Sequence, residues 1–339
     1  MCVIIAKKIK DNISGDIKFG LFKHRDRSYD AKYKIKTFNF KKVSVLYLED
    51  LKSGWIEGIN DKGIKIVSAA LDNHSDESNG SDYKSPKYKK YLEKLNYRNS
   101  LILKRALRQS TIEEALSILK DSLFIGNTFL SDGESLYSLE IAIQQNKLLD
   151  FRKSNKDLAS LSFKNFKMEI LSQLQESDFT VSIKDLSSKD LVVKTNHSED
   201  KKGLGYISSD DGFSSSVSRK EIIENLLKDF DGSIEEIITL LSSTDGADFH
   251  KNPEMRPNRN KEKTTLSDKE KDKNGYSNYY TTDIFGLYDF TLYHLPLHSK
   301  VTNLDILKIL DKDTNCHYIL LKNINEKFSL KRTLVDLYT

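Results

Sequence analysis

Apolar residues near the start of the chain recur every second position, and from Tyr97 they change to helical spacing. Val3–Ile5, Ile17–Phe22, Tyr33–Phe40 and Val43–Tyr47 read as strands, the third with a phase slip between Thr37 and Phe38. Asn60-Asp61-Lys62-Gly63 reads as a hairpin turn between two more apolar stretches, its glycine able to take positive φ. Two helices follow in tandem. Leu101, Leu103, Ala106 and Leu107 mark the first, and Thr111 with Glu114 forms a capping box that opens the second. Tandem helices after a run of strands exclude an all-β chain and a strict βαβ series.

The alternation then repeats. Asn127–Ile143 reads as strand, turn, strand around Ser131–Glu134, and Leu191–Thr195 as a strand ending in Asn196-His197. Arg219–Leu241 has helical spacing on both sides of Asp231-Gly232, and Tyr279–His294 and Cys316–Leu321 are strand-like. Lys147–Asp190 carries no decisive period. Asn73–Lys90 reads as an exposed loop, and Lys251–Asn278 as a mobile insertion too polar to offset its ordering entropy by burial. Batches of strands alternating with batches of helices predict a layered α+β fold, one domain over residues 1–339.

Length and composition then bound the function. A chain of 339 residues can bury a core without staples, and its two cysteines, Cys2 and Cys316, make no disulfide framework. That points to a reducing compartment, the cytoplasm. No apolar run approaches the roughly 18 residues of a membrane span, and the opening lacks the hydrophobic stretch of a secretory signal. Basic residues number 54 and acidic ones 50, a net charge of +4 that is too thin to argue for nucleic acid.

Cys2 is the first candidate for chemistry. Removal of Met1 by an aminopeptidase would leave a residue carrying both a thiol and an α-amine. An α-amine has a pKa of about 7.7–8.0, so an appreciable fraction is a neutral base near pH 7. It can take the thiol proton directly or through one water, in place of the histidine of other thiol hydrolases. On its own, a cysteine at position 2 carries no function; its context matters.

Met1-Cys2 is followed by an apolar strand, and Phe22-Lys23-His24-Arg25-Asp26 comes about two dozen residues later. Then come Gly58-Ile59-Asn60-Asp61-Lys62-Gly63-Ile64, a helix pair at Leu103–Ala115, Gly126–Gly133 with Leu139-Glu140, Thr195-Asn196-His197, and Ser215–Arg219. In this order the segments resemble the N-terminal nucleophile hydrolases, in particular choloylglycine hydrolases, penicillin V acylases and acyl-CoA:isopenicillin N acyltransferase-like proteins. The resemblance covers roughly residues 2–230. It implies a four-layer αββα sandwich of two antiparallel sheets between helices, activated by loss of the initiator Met alone. The implied reaction is cleavage of a linear, non-peptide carbon–nitrogen amide bond of a small molecule through an acyl-Cys2 intermediate.

The site residues follow from the same resemblance. Cys2 is the nucleophile, Asp26 orients its α-amine, and Arg25 balances that carboxylate and could engage substrate. Asn196 donates its side-chain amide to the oxyanion, and Arg219 pairs with Asp26 or with a catalytic water network. Two departures stand out. Lys23 occupies a position where bile-salt relatives carry Arg, and Ala70 falls where they carry a second oxyanion-donating Asn. Asn73, Asn127 or a backbone amide are the candidates for that second donor. The resemblance implies no cofactor, leaves room for a homo-oligomer and does not name the substrate.

Competing readings are an acyltransferase using the same Cys2 chemistry, an inactive member kept for binding or structure, and RNA binding through the 251–278 insertion beside Tyr276, Tyr279 and Tyr280. The histidines form no H-E-x-x-H motif, and Leu295-Pro296-Leu297 disfavours a helix that would bring His294 to His298, so no metal site is expected. The glycines make neither a P-loop nor a convincing dinucleotide fingerprint.

Overall fold

The computed structural model describes residues 2–10, 14–27, 32–71, 98–143, 179–200, 215–242, 280–296, 304–311 and 316–323. The chain opens with β1 (Cys2–Lys10) and β2 (Ile17–Arg27), then β3 (Tyr33–Phe40), β4 (Val43–Asp50), β5 (Ile56–Asn60) and β6 (Lys65–Ala69). Helices α1 (98–106) and α2 (Ile112–Asp121) follow, then β7 (Gly126–Ser131), β8 (Leu136–Ile143), β9 (Phe179–Asp185) and β10 (Leu191–Lys194). Helices α3 (Ser215–Leu227) and α4 (Ile234–Ser242) precede β11 (Tyr280–Tyr288), β12 (Thr291–Pro296), β13 (Leu304–Asp311) and β14 (Cys316–Asn323).

These strands form two seven-stranded sheets, a mixed α+β architecture. The first runs β10-β1-β2-β11-β12-β14-β13, and the second runs β3 to β9 in chain order. Neighbours are antiparallel except β12 and β14, which pair in parallel. No helix among the described residues is long and apolar enough to cross a membrane.

Both faces of each sheet are apolar, and successive residues of a strand serve different clusters. Cys2, Ile4 and Ala6 of β1 join Phe19 and Leu21 of β2 and Leu46, Ile59, Val67 and Phe129 of the second sheet in one buried cluster. Val3, Ile5 and Phe22 instead pack with Ile223, Leu227, Ile237 and Ile238 of α3 and α4. On the second sheet, Val45, Tyr47 and Ile66 pack with Leu103, Ala106, Ala115 and Leu119 of α1 and α2. This accounts for the phase slip in β3. Ile35 serves the cluster shared by the two sheets, while Phe38 lies against the α1–α2 cluster.

Turns and caps agree with the sequence where it spoke. Gly63 takes φ +86°, and a Cβ there would lie 2.8 Å from the Asp132 carbonyl oxygen. The Thr111 hydroxyl accepts from Glu114 N at 3.3 Å, and the Glu114 carboxylate reaches back to Ser110 N at 3.1 Å. Helix α4 has its own box, Ser233 with Glu236, which sequence reading had not singled out. The loop at 73–90, the insertion at 251–278 and most of 147–190 lie outside the described residues.

Candidate active site

Sheet register brings polar or reactive residues into one row. Cys2 stands opposite Arg25 of β2, and Arg25 stands opposite Asp283 of β11. Extending the β1–β10 register, in which Ile4 faces Lys194, by two residues puts Asn196 on the other side of Cys2. Directly opposed side chains in an antiparallel pair have Cβ atoms about 4.5–5.5 Å apart. The row therefore runs Cys2, Arg25, Asp283 across neighbouring strands, with Asn196, two residues past the end of β10, beside Cys2.

The Asn196 contacts confirm its place beside Cys2. Cys2 N donates to Asn196 Oδ1 at 2.7 Å, and Asn196 Nδ2 donates to the Ala70 carbonyl oxygen of the second sheet at 2.7 Å. Arg219 of α3, only 1% exposed, donates to Asn196 Oδ1 at 3.4 Å. Thus Arg219 meets Asn196. The side chain of Asp26, the partner expected for it, lies outside the described residues; the Asp26 backbone pairs with Thr281. Asn73 is outside the described residues as well.

The segment carrying Asn196 is held from both sides. Ser216, in the first turn of α3, accepts from Asn196 N at 3.1 Å and lies 2.6 Å from Thr195 Oγ1 and 2.8 Å from His197 Nδ1. Burial pulls the His197 pKa down, outweighing the nearby Glu199 and Glu140 carboxylates. From the second sheet, Asn127 Nδ2 donates to the carbonyls of Thr195 at 2.8 Å and His197 at 3.0 Å. Both Asn127 amide protons are committed to the backbone, so this residue positions Asn196 and is not placed to donate to an oxyanion. Lys194 adds a buried ion pair across the sheets to Glu140 at 3.0 Å.

Arg25 is the clearest departure from expectation. It is 0% exposed, ion-paired through Nη2 with Glu57 and 3.7 Å from Asp283 Oδ2 through Nη1. Its guanidinium lies 4.9 Å from the Tyr33 ring centroid and 5.2 Å from that of Phe285. Aromatic contact on this scale fixes a planar cation. Arg25 therefore shapes the field beside Cys2 and does not present itself to a substrate in this conformation.

Glu57 of β5 bridges the cations of β2, accepting from Lys23 Nζ with one oxygen and from Arg25 with the other. Lys23 Nζ also donates to the Ser68 carbonyl at 2.6 Å. Asp283 is buried and bonded to His294 Nε2 at 3.1 Å. Burial alone would raise its pKa, but the Arg25 charge and hydrogen bonds from His294 and Tyr33 hold it well below the usual carboxylate range. Tyr318, 3.4 Å from His294 Nδ1, is pushed up by burial and by the Asp283 charge, and so stays protonated.

Sequence reasoning missed Glu57 and Asp283; it placed Ser216 only within the Ser215–Arg219 segment and weighed His294 only as a metal ligand. A usable signal existed for the first two. Glu57 sits inside the otherwise apolar Trp55–Ile59, and Asp283 directly precedes the apolar Ile284–Tyr288. Such placement marks a buried, partnered charge. Cys2 itself is buried and makes no disulfide, and no group of three metal-ligating side chains occurs among the described residues. No protein-family model matches the chain, and no curated protein matches it.

Proposed function

We propose that this chain is a cysteine N-terminal nucleophile hydrolase of the choloylglycine hydrolase and penicillin V acylase type, built as a four-layer αββα sandwich. One observation carries the reading: the nitrogen of Cys2 is held by Asn196 Oδ1 at 2.7 Å, inside a buried polar setting that includes Arg219. In the full chain that nitrogen belongs to the Met1–Cys2 peptide bond. Loss of Met1 converts it into an α-amine beside the same acceptor.

The chemistry then follows. The α-amine takes the proton of the Cys2 thiol as Sγ attacks the carbonyl carbon of a linear amide. Asn196 Nδ2 has two N–H bonds. One is given to Ala70, and the other serves the developing oxyanion, a contribution of about 3 kcal/mol to the barrier. Collapse breaks the C–N bond, and the Cys2 ammonium returns its proton to the leaving amine. Water gives a proton to the α-amine as it adds to the thioester carbon; Sγ then departs and takes up that proton, freeing the acid. A reducing compartment such as the cytoplasm keeps the thiol competent.

The burial of Cys2 favours one other reading, a binding protein of the same architecture without turnover. Intact mass of the purified protein separates the two, read together with labelling of Cys2 by iodoacetamide or an acylating β-lactam. Loss of Met1 with one acyl group on Cys2 supports the enzyme. Retained Met1, or a Cys2→Ala protein with undiminished amidase activity, rules the mechanism out.

A further inference from the structure

We propose that Glu57 is a positioning residue that sets the ionisation of the Cys2 thiol, acting through Arg25 and Lys23. The inference rests on Cys2 being the reacting residue, but thiol titration tests it whether or not amide turnover is ever found.

The geometry is specific. Cys2 and Arg25 are directly opposed in register. Cys2, Ile4 and Leu21 all serve the cluster between the sheets, so Lys23 and Arg25, in phase with Leu21, enter the same space. Glu57, in phase with Ile59 on β5, meets both cations there and is fully buried. The second sheet thus supplies a carboxylate to cations that the first sheet places beside the nucleophile.

A cation beside a thiol stabilises its thiolate, and in a water-poor setting the effect reaches several Å. Arg25 and Lys23 acting alone would keep the sulfur ionised and hold the α-amine in its neutral form. Glu57 offsets that charge, leaving the thiol protonated until the amine receives its proton. Among the described residues, the groups facing this cluster include Asp283 on β11, His294 on β12, Tyr33 on β3, Tyr318 on β14 and Asp50, which ends β4 opposite Tyr33 and accepts from Lys52 N and Ser53 N; Asn196 and Arg219 lie beyond Cys2, and Lys194 is paired with Glu140. Asp283 belongs to the same balance. Its own partners, Arg25, His294 and Tyr33, hold it ionised, so it supplies a constant charge through the neutral range.

The experiment titrates Cys2 by its rate of alkylation with iodoacetamide against pH, read at the N-terminal peptide by mass spectrometry. An unpaired buried lysine can shed its proton and mask the effect. The comparison is therefore Lys23→Met against Lys23→Met/Glu57→Gln, where Arg25 keeps its charge in both. Removing the carboxylate should move the alkylation midpoint to lower pH by about one unit. An unchanged midpoint, or a shift to higher pH, in folded protein overturns the proposal. If the double variant does not fold, Lys23→Met alone reads the same balance from the other side. Loss of that cation should raise the midpoint relative to the parent protein, and no movement overturns the proposal. Both outcomes leave the amidase reading standing or falling on its own assay.

Discussion

At the scale of single residues, Asn196 connects the backbone of Cys2 to the end of β6. Its Oδ1 takes the Cys2 N–H and its Nδ2 reaches Ala70. Asn196→Ala removes both bonds and the assigned oxyanion donor. Under the proposed hydrolase mechanism, amide turnover should fall by about 10²-fold or more, while iodoacetamide still labels Cys2. Turnover at the parental rate would remove Asn196 from the mechanism. Asp283 carries a pH signature. Its folded pKa lies below the ordinary value near 3.9, so between the two the unfolded chain binds the extra proton. Its contribution is complete above about pH 4 and is lost as pH falls further through the folded value. Asp283→Asn takes one of two carboxylates from Arg25, which keeps Glu57, and the charged partner from His294, and should cost about 3 kcal/mol at pH 7. The gap in urea midpoint between parent and variant should close as pH drops below 4.

At the scale of elements, one side chain organises the β5–β6 hairpin. Asn60 Oδ1 accepts from Lys62 N at 2.9 Å and Ile64 N at 3.0 Å. Its Nδ2 donates to Leu107 and Gln109 carbonyls just past α1, at 2.9 and 2.8 Å. Asn60→Ala leaves several buried backbone groups unpaired and should cost about 3 kcal/mol in urea unfolding, with Asn60→Asp recovering only the accepting half. This hairpin was legible because its signals are local: an Asn, a Gly at positive φ and apolar flanks within ten residues. The Thr111 cap, β3 and the β7–β8 turn were legible for the same reason. Other features were not. The parallel pairing of β12 with β14 depends on contacts between distant segments, which no local period encodes. Strand β9 buries only Phe179, leaves Val181 exposed and Thr180, Ser182 and Ile183 half-buried, too weak a pattern to stand out from its surroundings. In the site, the resemblance picked out Cys2, Asn196 and Arg219, which the fold brings together. It was silent on Glu57 and Asp283, because a buried charge declares its function only when its partner, 32 residues away for Glu57 and Arg25, is seen beside it.

At the scale of the molecule, charge is enclosed where the two sheets meet, and not all of it is balanced equally. Lys194 with Glu140, and Lys23 and Arg25 with Glu57, are ion-paired. Lys65 is 1% exposed, and burial pulls its pKa from 10.5 down to about 8 against the pull of Asp289 and Asp132, with Lys18 adding to the fall. Between those values the unfolded chain binds more protons, so stability rises with pH through that window and the penalty is complete below 8. Lys65→Met should therefore stabilise the protein by about 3 kcal/mol at pH 7, with the gain shrinking toward pH 10 in thermal or urea unfolding. The arrangement of the clusters leads to a second test. Trp55, the single tryptophan, lies in the cluster under α1 and α2, 5.8 Å from Phe124, and Cys2 lies in the cluster shared by both sheets. Strands β4 to β6 contribute to both clusters, Val45 and Ile66 to one and Leu46 and Val67 to the other. A strand cannot leave one cluster and stay in the other, so the two should melt together. Trp55 emission and pulse labelling of Cys2 should share one urea midpoint. Labelling of Cys2 at lower urea than the loss of Trp55 emission would show the first sheet opening by itself, and residues 1–339 would then not unfold as a single unit.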